Sequence, residues 1–209
     1  MNQVKEHWET VYSSKQENEL GWFQPKADIS LNLIRECNLS PNDIIIDAGS
    51  GASVLIDDLL EEGFKELIAT DISVSGLNKS KQRLGPEKSS QVKWLVDDLT
   101  SSKELIKLKN VSLWHDRAVF HFLIDKKQQR EYLKLIDKII KVGGYVIIST
   151  FAKDGALKCS GLNVGRYDEL DLAQILGENY KLVKHIRHLH FNPKAEHRPF
   201  IYTLFKKIK

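Results

Sequence analysis

Two glycines and a carboxylate form the part of the sequence best suited to bind a ligand. Asp47, Gly49 and Gly51 follow three consecutive isoleucines and precede a run with apolar residues at helical spacing. This order predicts a buried strand, a glycine turn and a helix, in which the backbone can approach a ligand because glycine has no Cβ. We therefore expect a binding site outside the carboxyl end of this strand, near the amide groups of the helix.

The residues around the glycines narrow the kind of ligand. Dinucleotide sites require a third small residue, which allows close packing of helix on strand, and Val54 occupies that position here. Asp47 would repel a pyrophosphate and would suit a ligand that carries positive charge and no phosphate. A dinucleotide site, or a tight turn whose glycines serve backbone geometry only, stays open as an alternative.

A second carboxylate ends the next predicted strand. Asp71 follows residues 66–70 and lies 22 residues after Gly49. This separation is close to the ~20 residues at which a carboxylate contacts a ribose in nucleotide-binding folds. The alternative is that Asp71 caps the following helix, predicted over residues 73–84.

Two more carboxylates follow the third predicted strand, residues 92–96. They are Asp97 and Asp98, and either could contact a ligand at the same edge of the sheet. Either could instead cap a helix predicted around residues 103–107.

The fourth predicted strand, which begins at residue 111, changes from apolar to charged at its end. His115, Asp116 and Arg117 are followed by Phe120, His121 and Phe122. A buried strand with a charged end indicates a functional site in an open α/β sheet. Asp116 and His121 are candidate general bases. The structural alternative for Asp116 and Arg117 is an ion pair or a hydrogen bond that fixes the loop.

Aromatic residues are dense before the first strand. Trp8, Tyr12, Trp22 and Phe23 lie within a polar segment, residues 7–24. They could pack on the core or form a lid over a pocket. A loop at residues 151–167, which includes Arg166, follows the fifth strand and is expected near the same pocket.

Charge and cysteine content exclude several classes of function. The 209 residues include 31 basic and 28 acidic ones, a balance that argues against nucleic acid as a partner. Cys37 and Cys159 are far apart and have no metal-binding spacing, and His188 and His190 have no third ligand nearby, so no metal is expected.

Residues 1–12 lack the apolar core of a signal peptide, and no apolar run reaches membrane-spanning length. A cytoplasmic protein without a membrane partner is expected.

The remaining elements complete an alternation of strands and helices. Helices are predicted over residues 29–37, 54–62, 125–141 and 168–176, and strands over residues 145–150, 180–191 and 199–206. Such alternation predicts an α/β fold with a mostly parallel sheet, to which the terminal hairpin adds one antiparallel strand.

Several of these strings resemble one family. The D-x-G-x-G pattern at residues 47–51 resembles motif I of class I S-adenosylmethionine-dependent methyltransferases. The strings at residues 7–12, 114–122 and 159–162 resemble small bacterial methyltransferases, and more distantly thiopurine and elongation-factor lysine methyltransferases. The resemblance implies a three-layer, Rossmann-like fold with seven strands, forming a single domain over residues 1–209, with residues 1–24 as a lid.

The resemblance also implies roles for the candidate residues. In this family an acid after the third strand contacts adenine, and Asp98 matches that position better than Asp97. S-adenosylmethionine would be bound by Asp47, Gly49, Gly51, Asp71, Ile72, Asp98, Leu99 and Asp116. The acceptor pocket would be formed by Trp8, Tyr12, Trp22, Phe23, Arg117, Phe120 and Arg166.

The implied reaction is transfer of a methyl group to a small-molecule acceptor by in-line displacement. A protein-lysine methyltransferase is the main alternative. A nicotinamide-dependent oxidoreductase and a non-catalytic cofactor-binding module are less favoured. The Asn/Asp-Pro-Pro-Tyr motif of nucleic-acid amine methyltransferases is absent from the sequence.

Overall fold

Strands and helices alternate along residues 2–209, the part of the chain that the computed structural model describes. The helices are α1 (Asn2–Ser14), α2 (Asp28–Glu36), α3 (Leu55–Glu61), α4 (Val74–Ser89), α5 (Lys126–Ile139) and α6 (Glu169–Leu176). The strands are β1 (Ile45–Ala48), β2 (Leu67–Asp71), β3 (Val92–Val96), β4 (Val111–Arg117), β5 (Ile140–Phe151), β6 (Lys158–Cys159), β7 (Leu162–Asn163), β8 (Tyr180–Phe191) and β9 (His197–Lys207). Met1, part of the predicted lid, lies outside the described residues.

Seven strands form one sheet in the order β3-β2-β1-β4-β5-β9-β8, while β6 and β7 pair separately. The first five strands are parallel, and β9 runs antiparallel to both β5 and β8. This confirms the mostly parallel α/β fold with one antiparallel strand. The strand order reverses between β1 and β4, and in open α/β sheets ligands bind at such a point, outside the carboxyl ends of the strands.

Helices cover both faces of the sheet because successive residues of a buried strand point to opposite sides. Ile45 of β1 packs with apolar residues of α2, α3 and α4. Its neighbour Ile46 packs on the other face with residues of α5 and α6. The same alternation decides which residues at the strand ends can reach the crevice.

Several elements differ from the sequence prediction. The polar segment before the first strand forms a helix, α1, which was not predicted. The helix expected at residues 103–107 is a single 3-10 turn, Leu105–Lys107, held by the carboxylate of Asp97. The fifth strand begins at Ile140, earlier than expected, because Ile140 already pairs with Val111 of β4.

The helix after β2 runs further than predicted but is interrupted. Gly85 adopts φ 73° and ψ 170° inside α4 and stands directly before Pro86, so the helical hydrogen bonding breaks there. No helix among residues 2–209 has the length and apolar character needed to cross a membrane.

Candidate active site

A cavity of about 150 Å³ opens outside the carboxyl ends of β1, β2, β3 and β4. Most of the residues that the sequence predicted for the site line it together. They are Trp8, Tyr12, Trp22, Phe23, Asp47, Gly49, Asp71, Ile72, Asp98, Leu99 and Arg117. Segments distant in sequence therefore meet at one crevice, where the strand order reverses.

Asp47 is held by a relay of buried side chains. Its Oδ1 lies 2.7 Å from Nδ1 of His115, and Nε2 of His115 lies 2.8 Å from Oγ of Ser30. With the ring proton on Nδ1, His115 donates to Asp47 and accepts from Ser30. Oδ2 of Asp47 is buried and has no hydrogen-bond partner among the described residues. The relay thus orients a carboxylate whose second oxygen is available to a ligand at the cavity.

The glycine turn makes room for protein side chains. Gly49 and Gly51 have φ values of +66° and +49°, in the left-handed region that other residues avoid. A Cβ at Gly49 would overlap Val119, and one at Gly51 would overlap the hydroxyl of Tyr12. The sequence predicted that Gly51 leaves space for the ligand, but Gly51 is not part of the cavity wall and its open side is filled by Tyr12.

Asp71 is buried at the end of β2 and faces the same cavity. The backbone N–H of Ser73 donates to its Oδ1 at 2.8 Å. Burial raises its pKa to about 7, a rise that the N–H groups of Ser73 and Gly51 oppose and that Asp47 reinforces. The cap of α4 is Ser73, which accepts from Gly76, so the helix does not use Asp71 as its cap residue.

Asp97 and Asp98 have different surroundings. Asp97 is buried, and its carboxylate accepts hydrogen bonds from Ser102 and from the N–H groups of residues 103–105. In Asp98, Oδ1 accepts from the N–H and hydroxyl of Thr100 at 2.8 and 2.7 Å. Both residues border the cavity, but Asp97 is buried by the loop that it organises, whereas Asp98 is only partly buried.

Helix α1 covers the cavity through aromatic contacts. The ring centroid of Trp8 lies 4.9 Å from Phe122 and 5.7 Å from Trp22, and that of Tyr12 lies 5.9 Å from Trp22. Glu9 fixes the helix by accepting hydrogen bonds from the first N–H groups of α4, at 2.6 and 3.1 Å. The aromatic segment is therefore docked over the crevice.

Both predicted catalytic residues lie away from the cavity. Asp116 is completely buried and accepts hydrogen bonds from the N–H groups of Val119 and Phe120 and from the hydroxyl of Tyr132. Its neighbours in β4, His115 and Arg117, point to the cavity, so strand alternation directs Asp116 to the opposite face. Burial raises the pKa of Asp116 to about 6. Its carboxylate fixes the turn after β4.

His121 is also fully buried, on the 3-10 turn Phe120–Phe122. Its ring packs against Phe122 and Phe151, and its Nδ1 accepts the N–H of Phe151 at 3.4 Å. Burial lowers its pKa to about 3, and the charge of Arg117 adds to the effect. The structure does not bring this ring to the cavity, where a base would act.

Two residues predicted for the acceptor pocket are placed elsewhere. Phe120 packs in the core against Tyr132 and Tyr167, at centroid distances of 5.2 and 5.5 Å. Arg166 donates to the carbonyl of Gly155 at 3.3 Å and does not line the cavity.

Ser30 and Glu9 were not predicted for the site from the sequence, and His115 was predicted only as part of the charged end of the fourth strand. Ser30 and His115 complete the Asp47 relay, and Glu9 fixes α1. The spacing of Trp8 and Tyr12, four residues apart on one helical face, is the signal that could have identified α1. The relay joins α2, β1 and β4, so only the register of β1 on β4, which pairs Asp47 with His115, reveals it.

Comparison with known proteins gives a consistent result. A family model described as "Methyltransferase domain" matches residues 39–189. Human EEF1A lysine methyltransferase 2 is 27% identical over 173 residues, which cover 70% of this chain and 67% of the human protein. The mouse protein of the same name is also 27% identical and is covered to 65%. The chain thus spans about two thirds of the length of these curated relatives.

Solved structures share the fold over nearly the whole chain. The N-methyltransferase NodS from Bradyrhizobium japonicum, in complex with S-adenosylhomocysteine, has a TM-score of 0.71 at 14% identity and covers 97% of this chain and 100% of that one. The 1,6-didemethyltoxoflavin-N1-methyltransferase from Burkholderia thailandensis has a TM-score of 0.66 at 19% identity and covers 88% of this chain and 78% of that one.

Proposed function

The chain belongs to the methyltransferase domain family and is an S-adenosylmethionine-dependent methyltransferase, and from this premise we propose that its acceptor is a small molecule. The observation that carries this proposal is the docked position of α1. Trp8 and Tyr12 cover the cavity, and Glu9 ties the helix to the N-terminus of α4. A covered crevice suits an acceptor that can be enclosed completely and shielded from water.

The residues around the cavity suit the cofactor. We propose that Oδ2 of Asp47, buried and unpaired among the described residues, binds the ammonium group. Asp71 would accept hydrogen bonds from the ribose hydroxyls, and Asp98, followed by Leu99, would contact adenine. Gly49 and Ile72 would form the remaining contacts, whereas Asp116 and Gly51 act through the protein's own turns.

When bound, S-adenosylmethionine supplies the methyl group: its carbon–sulfur bond breaks as the bond to the acceptor atom forms, and the electron pair stays on sulfur as a neutral thioether. The chain contributes by aligning the reactants and excluding water, which can lower a barrier by several kcal/mol. Trp22 and Phe122 would keep the reacting groups in an apolar setting. Alignment is assigned the main role, because Asp116 and His121 lie outside the cavity.

A protein lysine is the second candidate acceptor. It is favoured by the similarity to EEF1A lysine methyltransferase 2, a protein named for that activity. The two candidates differ in what the lid must do. A small acceptor needs the lid for alignment, whereas a protein acceptor would keep the mouth open and use the lid as a binding surface.

An acceptor screen followed by a lid variant tests the proposal. Thiols, amines, carboxylates and protein lysates are assayed by release of S-adenosylhomocysteine. Trp8→Ala is then compared with Lys5→Ala, an exposed position on the same helix. For a small acceptor we expect Trp8→Ala to lower kcat at saturating acceptor at least about tenfold, and Lys5→Ala to have no effect. A normal kcat with a raised KM, or turnover only with protein lysates, would contradict the small-molecule proposal.

We further propose that residues 1–209 act as one methyltransferase domain with residues 1–24 as its lid. A reducing, cytoplasmic setting is proposed as well, supported by the free thiols of Cys37 and Cys159.

A further inference from the structure

Arg117 is a charged side chain whose hydrogen-bonding capacity is incompletely used. Its Nε donates to the hydroxyl of Tyr202 at 2.8 Å, and its Nη1 donates to the carbonyl of Trp22 at 2.9 Å. Its guanidinium carbon lies 5.0 Å from the ring centroid of Phe200. Nη2 is buried and has no hydrogen-bond partner among residues 2–209. All these partners are neutral.

Arg83 shows what a structural arginine in this protein looks like. It is also partly buried, but its guanidinium forms ion pairs with Asp57 at 2.8 Å and with Glu17 at 2.5 Å. Arg117 forms no ion pair within the described part of the chain. A partly desolvated cation without a counter-ion is costly, so such a group points to an anion that is supplied from outside the chain.

A second cavity, of about 230 Å³, lies next to the first. Trp22 and Ala118 line both cavities and form the wall between them. Arg117 borders the first cavity, and Phe200, against which its guanidinium stacks, borders the second. Arg117 itself lines the first cavity, and its contacts with Trp22 and Phe200 place its guanidinium beside the second.

The rim of the second cavity is basic. Lys15, Lys158, Lys194 and Arg198 line it, against two glutamates. One of these, Glu196, is already paired with Arg198 at 2.5 Å. The three lysines form no ion pair with any described residue, and all three are exposed at the mouth. Such a rim attracts anions and repels an ammonium group.

We infer that the methyl acceptor, with its reacting atom in the first cavity beneath α1, extends an acidic group toward the second cavity, and that Nη2 of Arg117 binds this group. This inference rests on the proposed methyltransferase site, since it takes the position of the reacting atom from that site. It also distinguishes the two candidate acceptors. A lysine ammonium would meet Arg117 and the lysine rim without a counter-ion, whereas a small carboxylate would neutralise the partly buried charge of Arg117.

Three probes of equal size and different charge test the inference. Benzoate, benzyl alcohol and benzylamine are titrated by NMR into the full-length protein loaded with S-adenosylhomocysteine. We expect benzoate to bind at least about tenfold more tightly than benzyl alcohol, and benzylamine to bind most weakly. Arg117→Met should reduce benzoate affinity to the level of the alcohol, and Arg117→Lys should restore part of it. Arg130→Met, at an exposed position on α5, is the matched control and should change nothing.

A second variant keeps the test decisive if Arg117→Met disturbs the fold. Lys158→Gln combined with Lys194→Gln removes two exposed rim charges and should weaken benzoate about threefold, with a smaller salt dependence. Equal affinity for the three probes, tighter binding of benzylamine, or no saturable binding of benzoate at millimolar concentration overturns the inference. Failure of S-adenosylhomocysteine itself to bind would instead overturn the proposed cofactor site. The two failures are therefore distinct.

Discussion

The two halves of the strand-end crevice carry opposite charge. At the ends of β1, β2 and β3, the carboxylates Asp47, Asp71 and Asp98 face the cavity. At the end of β4 the charge changes sign with Arg117, and the lysine rim adds Lys158 and Lys194 from beyond β5 and Lys15 from the end of α1. Both halves contain charges that the chain leaves without an opposite charge, so each half suits a ligand of the other sign.

The contrast separates a cofactor side from an acceptor side within one crevice. S-adenosylmethionine carries two positive groups, an ammonium and a sulfonium, which suit the acidic half. An acidic acceptor suits the basic half. Trp22 and Ala118 border both halves, so the reacting atoms would meet beside these two residues, away from either set of charges.

Of the substitutions in the acidic half, that of Asp71 should have the largest effect on cofactor affinity. Asp71→Ala removes a charged acceptor of two hydrogen bonds, a loss on the order of 2–4 kcal/mol, or roughly 30- to 1,000-fold in affinity for S-adenosylhomocysteine. Calorimetry measures it, with Glu178→Gln as a control for charge, since Glu178 is exposed and distant in the fold. Unchanged affinity would mean that Asp71 does not contact the cofactor.

Substitutions in the relay that holds Asp47 should have the next largest effect on cofactor affinity. His115 belongs to this relay although it lies on β4, the strand that carries Arg117 of the basic half. His115→Leu removes the hydrogen bond that orients Asp47, and we expect about a tenfold loss of affinity for S-adenosylhomocysteine. Ser30→Ala, one step further from the ligand, should cost about threefold. If Ser30→Ala costs more than His115→Leu, the relay does not act through Asp47.

Substitutions of the two neighbouring carboxylates after β3 should separate an effect on cofactor affinity from an effect on stability. Asp98→Asn should weaken the binding of S-adenosylhomocysteine about 3- to 10-fold and leave Tm nearly unchanged, since Asp98 is only partly buried and an asparagine Oδ1 can still accept from Thr100. Asp97→Asn should do the reverse, lowering Tm by several degrees, because its carboxylate organises residues 102–105. The reverse outcome for the pair would assign adenine contact to Asp97.

The last prediction concerns the stability that the acidic half costs the cofactor-free protein. The folded pKa of Asp71, about 7, lies above its ordinary value of 3.8. The folded state therefore binds the proton more tightly, and stability is lost as pH rises through that range. Asp71→Asn cannot ionise, so its Tm should exceed that of the wild type by a margin that grows from about pH 4 to about pH 7 and then levels off. A Tm difference that does not change with pH would show that the pKa of Asp71 is not raised in the folded protein.

The sequence predicted the acidic half better than the basic half, for a physical reason. Asp47, Gly49 and Asp71 belong to a local strand–turn–helix pattern whose spacing can be counted along the chain. Asp116 was assigned to the site because it lies at a charged strand end. Successive residues of a strand point to opposite faces of the sheet, so Asp116 cannot share a face with His115 and Arg117. This rule could have been applied to the sequence alone.

Other features needed the three-dimensional structure. A glycine is needed at position 51 because the ring of Tyr12 fills the space that a Cβ would occupy. Tyr12 is 39 residues earlier in the chain and reaches the turn only because α1 docks on α4. The second cavity joins segments from residues 15 to 200, and no local pattern brings them together. The fold was predictable because alternating strands and helices with apolar runs leave few topologies.

A crystal structure with bound S-adenosylhomocysteine tests the division of the crevice most directly. We predict ribose hydroxyls within hydrogen-bond distance of the Asp71 carboxylate, and a thioether sulfur that faces the Trp22–Ala118 wall. A ribose bound away from Asp71, or a sulfur that faces away from that wall, would contradict the assignment of the acidic half to the cofactor and the basic half to the acceptor.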